Sequence, residues 1–196
     1  MGAHAGLTVD RITHAAAELA DEVGIEKVSI SALARSFGVK DASFYSHVKG
    51  LQEIRTRVAV LASGEMNECI SSAIAGRSGG EALMAFAGAY RSYALRHPGR
   101  YAATQLRLDP SEFAGTEVFK RSVELTYAVM RHYELEEPDL TDAVRLLRST
   151  FHGFICIEAT GGFNHPRGVE GSWNRIVGGL HQLLEQWPRA QAAERQ

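Results

Sequence analysis

The segment from Ser31 to Val48, SALARSFGVKDASFYSHV, restricts the fold of this chain more than any other stretch. Leu33, Ala34 and Phe37 recur at helical spacing, and Gly38 supplies the positive φ that a tight exit from a helix requires. Val39 then reads as a buried anchor of the turn, and Ala42, Phe44, Tyr45 and Val48 resume a helical pattern from about Asp41 to Val48. Two short helices joined by a tight Gly-containing turn form a helix-turn-helix, whose second helix fits the major groove of DNA.

The remaining pattern is helical as well. Thr8 is an N-cap for a stripe of Val9, Ile12, Ala15, Ala16, Leu19 and Val23 that stops at Gly24, and Ser31 is the expected cap of the next helix. A long helix is predicted from about Leu51 to Ala75, with Ile54, Val58, Leu61, Met66 and Ile70 on its buried side. Gly76–Gly80 is a loop, followed by helical patterns over 81–97, 98–107, 111–133, 140–161 and 169–187. No strand-like alternation of useful length and no internal repeat occurs. The expectation is an all-α chain of about nine helices, with an N-terminal helix-turn-helix domain over 1–50 and a larger helical domain over 51–196.

A formal net charge of −2 sits awkwardly with a nucleic-acid partner. The charge is unevenly placed. From Asp10 to Glu26 five acids face one base, whereas from Lys27 to Arg57 six bases (Lys27, Arg35, Lys40, Lys49, Arg55, Arg57) face only Asp41 and Glu53. DNA affinity rests on local contacts of Lys and Arg to phosphates, so the basic excess over the reading segment outweighs the total.

Other chemistries find no support. No GxGxxG, P-loop or HExxH motif is present, and no catalytic residues and no cofactor are assigned. His152 and Cys156 share a helix face, but two ligands do not make a metal site. Cys69 and Cys156 suggest neither a disulfide framework nor a zinc cluster. Neither a signal-like leader nor an apolar run of bilayer length is seen, so the expected location is the cytoplasm, with no membrane partner.

Residues 8–57 resemble the DNA-binding domain of the TetR-like transcriptional regulators. The resemblance is carried by the helix-one stripe, Val28-Ser29-Ile30, Ala32-Leu33-Ala34, Gly38-Val39 and above all Phe44-Tyr45-Ser46-His47-Val48-Lys49. The chain departs from that pattern at Leu51, where a lysine is usual, and at Lys40-Asp41, which replaces the commonest polar start of the third helix. Leu146–Phe163, LLRSTFHGFICIEATGGF, is similar to the C-terminal regulatory domain named for a Trp-His-Gly motif, with Phe151-His152-Gly153 in that place. The resemblance implies a repressor released from a palindromic operator by a small-molecule effector. The alternative is a DNA-binding dimer that needs no effector.

Site residues follow from the geometry of a reading helix. Its N-terminal residues face base edges, which makes Lys40, Asp41, Ala42 and Ser43 candidates for base readout. Tyr45 and His47 flank its end and are placed for phosphates, and Ser29, Ser31 and Lys49 suit the DNA backbone. Phe44 is assigned to the core. Two-fold dimers address two half-sites, so a homodimer through the last two helices is expected. Trp173, Ile176, Val177, Leu180, Leu183, Leu184 and Trp187 form the stripe available for it. An unknown effector is assigned to Phe86, Tyr90, Tyr101, Tyr127 and Phe151, aromatics whose apolar bodies and polar tips suit a ligand of mixed polarity.

Overall fold

Thr8 opens the first helix as expected, its hydroxyl oxygen accepting from the Arg11 N–H at 3.3 Å. The structure, a computed structural model, describes residues 7–108 and 117–188. Their α-helices are α1 Val9–Val23, α2 Ile30–Phe37, α3 Leu51–Ile74, α4 Gly79–Arg96, α5 Pro98–Thr104, α6 Glu117–Met130, α7 Asp139–Ala159 and α8 Val169–Glu185. Short 3-10 helices cover Ile25–Lys27, Asp41–Ser46 and Arg131–Tyr133. No strand occurs among the described residues, and no helix there is long and apolar enough to cross a membrane. Asp109 and Pro110, which punctuate the sequence pattern, Ser111, where the helical pattern over 111–133 begins, and the aromatic Phe113 lie outside the described residues.

Contacts divide the chain into two compact units. The first holds the described residues up to Glu65 together with those from Arg96 to Phe119, and the second holds the others, so α3 contributes to both.

The core of the first unit gathers Ile12, Ala16 and Ala20 of α1, Leu33 and Ala34 of α2, Phe44 of the 3-10 helix Asp41–Ser46, Ile54 and Val58 of α3, and Ala103 of α5. The alanines of α1 let α5 approach closely. At Gly99 an added Cβ would stand 1.9 Å from the Ala20 carbonyl oxygen, so only glycine fits. The N-cap residue of α5, His97, makes no side-chain capping bond; Asp21 of α1 accepts from the Arg100 N–H at 2.8 Å instead. The same carboxylate lies 3.1 Å from the Arg100 guanidinium and 3.2 Å from His97 Nδ1, and Arg100 reaches on to Glu65 at 3.2 Å.

In the second unit α7 buries Leu147, Phe151, Phe154 and Ile155, while α8 buries Trp173, Val177, Leu180 and Leu184. Arg91 of α4 pairs with Glu158 of α7 at 2.6 Å and with Glu170 of α8, and its guanidinium lies 5.5 Å from the Trp173 ring centre. Its bonds to Glu158, foremost, hold the Arg91 proton more firmly than usual, and Arg91 in turn keeps the Glu170 carboxyl below its ordinary range.

Several sequence expectations are corrected here. Ser29, not Ser31, caps α2, accepting from the Ala32 N–H at 3.2 Å. Val39 is 37% exposed rather than buried. The segment after the turn is a 3-10 helix over Asp41–Ser46, with Lys40 rather than Asp41 in the cap position. Trp173, Val177, Leu180 and Leu184 are buried within their own unit, which leaves Ile176 and Leu183 of that stripe exposed at 36% and 42%. A near-heptad stripe fits an intramolecular seam as well as an intersubunit one, and here the aromatic side chains of α7 fill the seam.

Candidate nucleic-acid interface

Gly38 ends α2 in the left-handed region, at φ 67°, and the Val39 N–H closes the turn on the Ala34 carbonyl at 3.0 Å. The chain thus passes directly into Asp41–Ser46, called the reading turn below. Phe44 is its anchor, fully buried and packed edge-on against Phe37 with ring centres 5.9 Å apart. The Ser43 N–H bonds the Lys40 carbonyl at 2.9 Å, and the His47 N–H bonds the Phe44 carbonyl at 2.9 Å. With Phe44 fixed inward, the rest of the turn faces out.

Lys40, Asp41, Ala42, Ser43, Tyr45 and Lys49 are all exposed, Tyr45 at 60%, and His47 is half-buried. The structure therefore presents the sequence-assigned residues of the turn on one short exposed segment. Ser29 is occupied as the cap of α2, which leaves its O–H as a donor. Ser31 is exposed, and its hydroxyl donates to the Asp41 carboxylate across the turn.

Charge at the interface is reduced by pairing. Arg55 bonds the Glu26 carbonyl at 3.1 Å and sits 3.5 Å from its carboxylate. Arg57 grips Glu53 at 2.7 Å, while the Lys49 N–H donates to the other Glu53 oxygen at 2.6 Å. That backbone bond, with help from Arg57, lowers the Glu53 carboxyl below its ordinary range. Lys27, Arg35, Lys40 and Lys49, all exposed, are the cations of the stretch outside these pairs. The Glu53–Arg57 spacing of four residues announces its pair in the sequence; the Arg55–Glu26 pair spans 29 positions and leaves no such sign.

Sequence reasoning also missed a cleft of about 660 Å³ between α1 and the start of α3, lined in part by Thr13, His14, Lys49, Thr56 and Arg57. Its residues come from segments some forty positions apart by the numbering, so no local pattern could reveal it.

The aromatics assigned to an effector divide. Phe86, Tyr90 and Phe151 form a triangle in the second unit with ring centres 5.9–6.3 Å apart, and Phe151 leans on Trp173 at 5.4 Å. Tyr127 is 40% exposed on α6, and Tyr101 is buried in the first unit. His152 and Cys156 do approach each other, at 3.6 Å, but no group of three or more metal-binding side chains forms among the described residues.

Two family models match the chain. Residues 12–50 match "Bacterial regulatory proteins, tetR family", and residues 83–180 match "Tetracyclin repressor-like, C-terminal domain". Among curated relatives, the uncharacterized HTH-type transcriptional regulator YobS of Bacillus subtilis (strain 168) is 31% identical over 171 residues, covering 86% of this chain and 88% of that protein. Among solved structures, a point variant of TetR from Acinetobacter baumannii AYE in complex with minocycline superposes with a TM-score of 0.69 at 17% identity, covering 94% of this chain and 100% of the other. BioQ with its natural double-stranded DNA operator gives a TM-score of 0.61 at 20% identity over 90% and 99% of the two chains. At these identities the structural likenesses speak for the fold, while the family models and YobS are described as transcriptional regulators rather than enzymes.

Proposed function

This chain belongs to the tetR family of bacterial regulatory proteins, and on that premise we propose that it is a homodimeric repressor that grips a palindromic operator and lets go when a small molecule binds. The observation that carries the proposal is the reading turn, in which a fully buried Phe44 holds exposed Lys40, Asp41, Ala42, Ser43 and Tyr45 outward. Lys40 to Ser43 meet base edges. Tyr45, His47, Ser29 and Lys49 meet the DNA backbone and set register, while the Ser31 hydroxyl is committed to Asp41. One such turn buries too little surface for specific affinity, so two copies joined through α7 and α8 read two half-sites. Exposed Ile157, Ile176 and Leu183 supply apolar surface for that pairing.

Release requires an effector with unequal affinity for two arrangements of the dimer. The Phe86–Tyr90–Phe151 triangle is the assigned binding region, with Tyr101 and Tyr127 as further candidates. A second reading, a dimer that works without an effector, is favoured by one observation: Phe86 and Phe151 are 8% and 1% exposed, as in a filled core.

Selection from a random double-stranded pool tests the main reading. The purified protein is expected to recover an inverted repeat at moderate salt, and recovery of no inverted repeat overturns the proposal. His47→Ala is expected to weaken binding to all sequences alike, whereas Lys40→Ala changes the selected sequence. A thermal-shift screen against metabolite pools separates effector control from the second reading, which is favoured if nothing stabilises the fold.

A further inference from the structure

We infer that Asp41, oriented by Ser31, selects a cytosine in each half of the operator, an inference that rests on the DNA-binding reading above. Asp41 is the first residue of the reading turn and is exposed there. A carboxylate on a face that must meet phosphates costs affinity through like-charge repulsion. Two acids lie in the otherwise basic stretch from Lys27 to Arg57, and they are treated differently. Glu53 is neutralised by Arg57 and by the Lys49 N–H. Asp41 receives the uncharged hydroxyl of Ser31, and it forms no ion pair among the described residues. Its negative charge is therefore retained at the surface and held in place.

The major-groove edges of the bases narrow the target. Guanine offers only the acceptors O6 and N7, and thymine offers the acceptor O4, so both repel a carboxylate. Adenine offers its N6 amino donor beside the N7 acceptor, a pair matched by an amide rather than by a carboxylate. Cytosine offers the N4 amino group, a donor without that adjacent acceptor. Ser31 occupies Oδ2 of Asp41, which leaves Oδ1 to accept from the base. Ser31 is available for this because Ser29 performs the capping of α2. Ser31 acts through Asp41 and is a positioning residue.

The test compares full-length wild type with Asp41→Ala, Asp41→Asn, Ser31→Ala and Ser31→Thr, each used to select sequences from the same random double-stranded DNA pool. Wild type is expected to show one cytosine position per half-site, preferred about tenfold. In Asp41→Ala that position becomes degenerate while the others persist. Asp41→Asn shifts the preference to adenine. Ser31→Ala blunts the cytosine preference, and Ser31→Thr, which keeps the hydroxyl, restores it. An unchanged position in Asp41→Ala, loss of preference at every position together, or an Asp41-dependent position that is not cytosine overturns the inference. Full retention of the cytosine preference in Ser31→Ala overturns the positioning role. If wild type itself selects no inverted repeat, the underlying DNA reading fails and this inference with it, an outcome distinct from all the others.

Discussion

Tyr133 shows how one side chain ties stability to solution conditions. It is 6% exposed, and its hydroxyl shares a 3.0 Å hydrogen bond with His181 Nδ1 of α8. Burial, with the charge of Glu185 added, pushes its phenol up to about 12. In the unfolded chain tyrosine loses its proton near pH 10. The folded value lies above the unfolded one, so the stabilisation is complete below about pH 10 and is lost as pH rises toward 12. Urea midpoints measured across that window are expected to fall more steeply for wild type than for Tyr133→Phe; parallel curves would sink the assignment. At this scale the sequence was readable where one residue type leaves little choice. Phe44 was assignable to the core beside an outward Tyr45, and they are indeed 0% and 60% exposed. The bond from Ser31 to Asp41 was not readable, because it joins residues ten apart across a turn whose geometry no local pattern specifies.

Among the elements, the docking of α5 on α1 depends on a missing methyl group. Gly99→Ala places a Cβ against the Ala20 carbonyl, backbone that cannot swing aside, and is expected to destabilise the protein by about 1–3 kcal/mol in chemical denaturation. Gly88→Ala is the matched control. Gly88 lies in the interior of α4, is exposed and has nothing within 4 Å of an added Cβ, so a gain of about 0.5–1 kcal/mol is expected there. Equal effects at the two positions would remove the close-approach argument. Helix boundaries at Thr8, Gly24 and Gly38 were legible because caps and C-terminal glycines act locally. The 3-10 character of the reading turn was not, since six residues carry too little pattern to separate 3.0 from 3.6 residues per turn.

For the molecule as a whole, the exposed and buried parts of α8 separate two outcomes. Ile176→Asp and Leu183→Asp alter side chains that are 36% and 42% exposed and are expected to keep helicity while yielding monomers by light scattering. Leu180→Asp puts a charge where 8% exposure remains and is expected to unfold the chain instead. Folded dimers in both of the first two variants would refute pairing through that face. The all-α class and the family were legible because helical periodicity runs through the chain and the turn motif is specific. The inner and outer sides of α8 were not, because apolar spacing marks a seam without saying which surface closes it.

The close fit of Gly99 against Ala20 carries a practical corollary for anyone hoping to transplant this DNA reader. Its body is completed by a stretch that begins at Arg96, so an excerpt cut after α3 strands the Asp21 carboxylate and uncovers the alanine ridge of α1. The reader is not portable as a contiguous N-terminal cassette, and a hybrid regulator must inherit α5 along with it.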